Sequence, residues 1–244
     1  MLQSEMDQYV WQAIMYDQLA RYYKYSNPQM HIEYYLKHYE ATKKLINEGR
    51  ALQLANIRVL HASPTSKAVD VYINGQRILQ NVPYKQFSNY LSLPQGQYRI
   101  DVYETGTQSI PILSGIVPFM SNYVYTVVIA GDDSKLDLLS FIDQTYLPYN
   151  EAKIRFAHLS PDTPVVDVAL KDGDTLFQNV AFKQSSDYVQ VSPGIANIEV
   201  RMVSTENTLL SLPDKKIEGN KIYTIYAVGF MNKSPKLEAL FLTN

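Results

Sequence analysis

Asn56-Ile57-Arg58-Val59-Leu60-His61-Ala62-Ser63-Pro64 returns later in the chain as Lys153-Ile154-Arg155-Phe156-Ala157-His158-Leu159-Ser160-Pro161. Asp70 and Asp167 follow at the same distance, so His61 falls on His158, Ser63 on Ser160 and Pro64 on Pro161 at a constant offset of 97. Further on, Gln80-Asn81-Val82 falls on Gln178-Asn179-Val180, Lys85-Gln86 on Lys183-Gln184, Tyr90 on Tyr188, Gly96 on Gly194 and Tyr125-Thr126 on Tyr223-Thr224, now at offset 98. One residue has been gained near Lys171-Asp172-Gly173-Asp174. A repeat of this length means two copies of one folding unit.

Within each copy, short runs of Val, Ile, Tyr and Phe alternate with turn residues, as successive strands of a sandwich or barrel do. Asn74-Gly75 supplies the positive φ angles of a tight hairpin, and Asp172-Gly173 stands at the same place in the second copy. Tyr123 to Ala130 reads as a strand apolar on both faces. The expected fold is mainly β: two tandem antiparallel β-sandwich domains of seven or so strands, immunoglobulin-like or transthyretin-like, over residues 54–144 and 152–244. Pro148 and Asn150 break the pattern between them, in Thr145–Glu151.

Ahead of the repeat, residues 1–50 follow another period. Leu2, Met6, Tyr9, Ala13, Tyr16, Ala20 and Tyr23 make one helical stripe, and Ile32, Tyr35, Tyr39 and Ile46 make another that runs up to Gly49. Asn27 suits an N-cap and Pro28 a first helical position, so a helical hairpin is expected. Much of the chain's complement of 20 tyrosines lies here. Tyr9, Tyr16, Tyr23, Tyr35 and Tyr39 are candidates for an association surface, because a tyrosine buries a large ring yet keeps a hydroxyl that wants a polar partner. Those stripes meet either the first β module or another subunit.

The paired motifs also carry a family resemblance. Arg58-Val59-Leu60-His61-Ala62-Ser63-Pro64 with Val69-Asp70-Val71-Tyr72, and Arg155-Phe156-Ala157-His158-Leu159-Ser160-Pro161-Asp162 with Val166-Asp167-Val168, resemble the signature of the bacterial family Domain of Unknown Function 4397. The resemblance covers Leu54 to about the C-terminus. It implies β-sandwich modules, often tandem and often at the cell surface, and no established reaction. The Tyr-rich helical leader resembles versions from spore-forming Firmicutes, whereas exported members begin with a signal peptide.

Composition narrows the function classes. The 244 residues carry 22 basic and 24 acidic side chains, a net charge of -2, so no long-range field draws the chain to nucleic acid. With no cysteine there is no disulfide, thiolate nucleophile or Cys-ligated zinc. Glu5, Asp7, Asp17 and Arg21 interrupt the apolar core that a signal peptide needs, and no apolar run reaches the length of a membrane span. Synthesis in the cytoplasm, with incorporation into a spore or envelope layer, fits this reading.

His, Ser and Asp recur in both copies, which are the residue types of a hydrolase triad. On one strand, however, His61 and Ser63 project about 6 to 7 Å apart, and neither a nucleophile elbow nor a Gly-rich oxyanion loop accompanies them. The expectation is a structural role, with His and Asp bonding across neighbouring strands and Ser-Pro starting a turn. Gly131-Asp132-Asp133-Ser134-Lys135 reads as a solvated turn, since a calcium loop needs more oxygen ligands. No metal and no cofactor is expected. The function expected is that of a non-enzymatic structural or assembly protein that associates through its helical leader. The alternative is a module recognising a peptide or glycan at sandwich-end loops or a strand edge, with Tyr84, Phe87, Tyr90 and Tyr103 as candidate contacts.

Overall fold

A computed structural model describes the backbone of residues 2–47, 54–107, 109–132, 134–205 and 207–243, and side chains outside 1–7 and 46–53. The helix stop at Gly49, the side chains of Leu2, Met6 and Ile46, and Asp133 of the acidic turn lie outside the described residues. The chain divides into two compact units, one gathering Met1–Asn56, Leu91–Gly96 and Pro118–Tyr123, the other Ile57–Tyr90, Gln97–Val117 and Val124–Asn244.

In the first unit, α1 (Leu2–Tyr23) and α2 (Pro28–Asn47) form the expected hairpin. Asn27 caps α2, its Oδ1 accepting from the Met30 amide at 3.2 Å, and Pro28 opens the helix with no amide to satisfy. Val10, Ala13, Ala41 and Leu45 fill the seam, with Tyr9 and Ile14 against them. Two imidazoles cross it at one heptad's spacing: His31 Nδ1 lies 2.8 Å from the Ala20 carbonyl and His38 Nδ1 2.9 Å from that of Ala13. Alanines at both points let the rings reach the backbone. The strand Leu91–Pro94 approaches α1 within this unit.

Among the described residues sixteen strands follow. The first copy supplies β1 (Leu54–His61), β2 (Val69–Ile73), β3 (Gln76–Val82), β4 (Leu91–Pro94), β5 (Gly96–Glu104), β6 (Leu113–Phe119), β7 (Val124–Asp132) and β8 (Lys135–Asp143). The second supplies β9 (Ala152–His158), β10 (Val166–Leu170), β11 (Thr175–Val180), β12 (Val189–Val191), β13 (Gly194–Met202), β14 (Thr208–Ile217), β15 (Lys221–Val228) and β16 (Glu238–Thr243). Each copy thus has eight strands among the described residues, in line with the seven or so that the turn pattern suggests.

Both copies share one topology. The sheets run β4-β1-β7-β8 and β3-β2-β5-β6 in the first, β12-β9-β15-β16 and β11-β10-β13-β14 in the second. Each copy is thus a two-sheet β-sandwich, as the sequence leads one to expect. β15 runs parallel to β9, and β1 runs the same way as β7, the amides of Asn56 and Ala62 bonding the carbonyls of Tyr123 and Ile129; the hairpin neighbours, such as β7 with β8 and β15 with β16, are antiparallel. In the second copy Ile154, Phe156, Val168, Phe177, Val200 and Ile225 pack between the two sheets. The hairpin turn Asn74-Gly75 has φ of 49° and 81° as its sequence requires, while the second copy, one residue longer, uses positive φ only at Asp172.

The other faces of two sheets are buried as well. Leu60, Ala62, Val128 and Ala130 of the first copy meet Ala157, Leu159, Tyr226 and Val228 of the second in one apolar cluster. Period-two alternation puts these residues opposite the core-facing positions of the same strands, so β1, β7, β9 and β15 are covered on both sides. That accounts for the continuous apolar run from Tyr123 to Ala130. Just past Ala130 and Val228 stand Gly131 and Gly229, with φ of +108° and +86°. A Cβ there would lie 2.1 Å from the Lys135 carbonyl oxygen at Gly131, or 2.3 Å from that of Lys236 at Gly229.

Candidate functional site

The duplicated motif sits at the end of β1 and of β9. His61 and His158 are fully buried, and each Nε2 lies 3.0 Å from a carbonyl, that of Lys67 in one copy and Pro164 in the other. An imidazole nitrogen facing a carbonyl carries the proton, so Nε2 is the donor. The His61 backbone is engaged too, its amide bonding the Gln86 carbonyl and its carbonyl accepting from Lys85. Ser63 Oγ pairs with Ser66 Oγ at 2.8 Å, and Ser160 Oγ pairs with Thr163 Oγ1 and donates to the Gly229 carbonyl at 2.7 Å. Pro64 and Pro161 open the turns between. Neither serine hydroxyl is aimed at its imidazole.

Asp70 and Asp167 do not bond the histidines across strands, contrary to expectation. Asp70 Oδ1 accepts from the Asn81 amide at 2.8 Å and from Thr105 Oγ1 at 2.9 Å; Asp167 Oδ1 accepts from the Asn179 amide at 2.7 Å. Asn81 and Asn179 have φ of 54° and 55°, so each carboxylate pins a left-handed residue at a break in the strand register. The repeated motif is therefore a set of backbone clamps, which explains why these residue types recur together.

Burial holds both imidazoles below the usual histidine value of 6.5, against a smaller opposing pull from the carbonyl bonds. The unfolded chain takes up protons near pH 6.5, and the folded chain only below that. The stability that neutral histidines contribute is thus present above the unfolded value and lost as pH falls through it toward the folded one. Urea midpoints should fall from about pH 7 to about pH 5, and the double variant His61→Gln, His158→Gln should show a shallower fall. An unchanged slope would assign the effect to carboxylates instead.

Arg58 and Arg155 lie between the copies, on the strand faces opposite the histidines. Arg58 Nε donates to Thr126 Oγ1 at 2.8 Å and its Nη2 to Asp143 Oδ2 at 3.3 Å. Arg155 repeats the pattern on Thr224 at 3.1 Å, and its Nη2 donates to the other oxygen of the same Asp143. Both guanidiniums and the carboxylate are buried. Arg58 lies over Phe87 and Tyr90, and Arg155 over Phe141 and Tyr188. Burial pushes the Tyr90 and Tyr188 phenols up.

The four candidate ligand contacts are not brought together. Phe87 and Tyr84 pack against the apolar cluster between the copies, and Tyr90 joins the arginine cluster with its hydroxyl 3.4 Å from Asp143. Tyr103 alone stands on an outward face, edge-on to Tyr72. The five leader tyrosines divide as well. Tyr16 and Tyr23 both stack on Tyr34 across the hairpin seam, and Tyr9 packs on its core, with Lys44 over its ring. Tyr35 and Tyr39 point away from that seam and are more than half exposed, as are Ile32 and Leu36. These four positions, spaced i, i+3, i+4 and i+7, form an outward apolar stripe. Leu36 carried a signal that periodicity alone could have found.

Among the described residues no cluster of three or more histidines and carboxylates is placed to hold a metal. No described helix is long and apolar enough to cross a membrane.

Two duplicated two-sheet sandwiches, clamped by buried His, Ser and Asp and sealed face to face, define a tandem β-sandwich protein with a helical hairpin ahead of it. The chain belongs to the family described as "Domain of unknown function (DUF4397)", which matches residues 55–169 and 152–244. No curated protein matches it. Among solved structures, the C-terminal domain of AlgF from P. aeruginosa is 16% identical at a TM-score of 0.31, covering 39% of this chain and 99% of that one. A family CBM26 module of Eubacterium rectale Amy13K in complex with maltoheptaose is 9% identical at 0.25, covering 78% and 97%. A putative cell adhesion protein from Bacteroides ovatus is 11% identical at 0.24, covering 79% and 97%. Likenesses this distant carry no ligand across.

Proposed function

We propose that this chain is a non-enzymatic assembly protein, of a spore or cell-envelope layer, that associates through its helical hairpin. The observation that carries the reading is the outward stripe Ile32, Tyr35, Leu36 and Tyr39. A monomer gains nothing by placing four large apolar side chains in water on one helix face, and a second helix laid along them would bury each. The hairpin seam is already filled by Val10, Ala13, Ala41 and Leu45, so the stripe is surplus to the hairpin's own packing. The buried clamps support the non-enzymatic half, because each imidazole Nε2 faces a backbone carbonyl, each aspartate holds a backbone amide and the serine hydroxyls bond neighbouring hydroxyls instead of the imidazoles.

The test is sedimentation of the full chain at micromolar concentration. The wild type is expected to run larger than a monomer, and Tyr35→Ser with Leu36→Ser as a monomer with its melting temperature unchanged, since both side chains are exposed. A wild type that stays monomeric, or a variant that associates as before, overturns the proposal.

A further inference from the structure

The sheet β3-β2-β5-β6 keeps one face toward the core of its sandwich and turns the other outward. On that outward face Tyr72 and Tyr103 meet edge to face, ring centroids 5.0 Å apart at 68°. Register pairs Tyr72 with Asp101 and Asp70 with Tyr103, so each ring lies beside a carboxylate of the neighbouring strand. Arg99 Nε donates to both oxygens of Asp101 at 3.0 Å, and Ser114 Oγ donates to one of them. Arg77 lies 3.6 Å from Asp70. Both carboxylates are nearly covered, whereas both guanidiniums reach solvent.

The second copy is an internal control. In the same register Ala169 pairs with Glu199 and Asp167 with Arg201, so Ala169 stands for Tyr72 and Arg201 for Tyr103. There Arg201 and Thr208 bond Glu199 as Arg99 and Ser114 bond Asp101, but Arg201 is itself mostly covered and Ala169, not a ring, stands beside the pair. The second copy keeps the strand order without either ring. The aromatic pair is therefore not a requirement of the fold.

We propose that the Tyr72–Tyr103 face of the first copy binds a neutral saccharide, one site per chain. Two carboxylates and two guanidiniums cancel, which gives neither a phosphate nor a cation a net field to follow. The rings offer apolar surface to the carbon-bound face of a sugar, while the solvent-reaching guanidinium of Arg99, held in place by Asp101, offers donors and the exposed Ser114 hydroxyl an acceptor to its hydroxyls. An extended peptide would need a free strand edge, and β2 and β5 are flanked on both sides by paired strands. This site is independent of the helical stripe, and either can fail alone.

The experiment is an amide chemical-shift titration of the full chain with cellohexaose, maltoheptaose and chitohexaose. At least one is expected to shift resonances of β2, β5 and β6, and Tyr72→Ala or Tyr103→Ala to weaken it about tenfold, equal to about 1.4 kcal/mol. Tyr72→Phe, which keeps the ring, should bind as the wild type does, and Tyr72→Ala with Tyr103→Arg, which copies the second module, should bind nothing. No shift with any of the three at about 10 mM, well above the weak end of specific binding, overturns the proposal. So do shifts confined to other surfaces, binding that survives loss of both rings, or tighter ring-dependent binding of a sulfated oligosaccharide or a peptide.

Discussion

Asp143→Ala is expected to lower the stability of the full chain by about 3–5 kcal/mol, read as a drop in the urea midpoint. Asp143 is the one carboxylate shared by Arg58 and Arg155, and all three side chains are buried. A guanidinium cannot shed its proton at any ordinary pH, so removing the aspartate leaves two like charges facing each other away from water. Asp143→Asn, which keeps acceptor geometry and loses the charge, should fall short of the wild type by a similar amount. Replacing the trio by Arg58→Met, Arg155→Met and Asp143→Leu should restore most of the loss, because the desolvation cost disappears with the charges. A change under about 1 kcal/mol in Asp143→Ala, the range of a solvent-exposed pair, would mean that water reaches the cluster.

Gly229→Ala should cost about 3 kcal/mol, with Gly131→Ala similar. Both glycines hold a positive φ, and in both an added Cβ would run into backbone. At Gly229 the obstacle is the carbonyl of Lys236, which cannot swing aside as a side chain can, and the Gly229 carbonyl is itself held by Ser160. Gly194→Ala is the control: its φ is ordinary and nothing lies within 4 Å of the added carbon, so thermal melts should barely move. Equal melts for Gly229→Ala and Gly194→Ala would contradict the strain argument.

The repeat was legible because identities at fixed offset need no knowledge of shape, and the hairpin because its period differs from that of the strands. Glycines 131 and 229 lie at the offset of the repeat, yet Gly131 reads as part of an acidic turn, since nothing in sequence reveals a carbonyl in the way. Arg58 and Arg155 were visible as matching positions of the repeated motif. Their common partner was not, because Asp143 comes from a strand end of one copy only. Tyr84, Phe87 and Tyr90 read as surface aromatics for the same reason: period-two alternation does not say whether the second face of a strand meets water or another sheet. Tyr103 was singled out without Tyr72, because their adjacency depends on the register of β2 against β5.

That second buried face makes the pair, rather than the module, the smallest closed unit of this architecture. Like strands meet like across the junction, β1 and β7 against β9 and β15. A lone copy would leave this apolar sheet uncovered, and joining two copies through residues 144–151 makes the covering contact an intramolecular one. Only after such a fusion can one half carry a charge the other lacks, as Asp143 does. Lengthening this protein by duplication would then have to proceed two modules at a time, since an odd one would be left with a sheet uncovered.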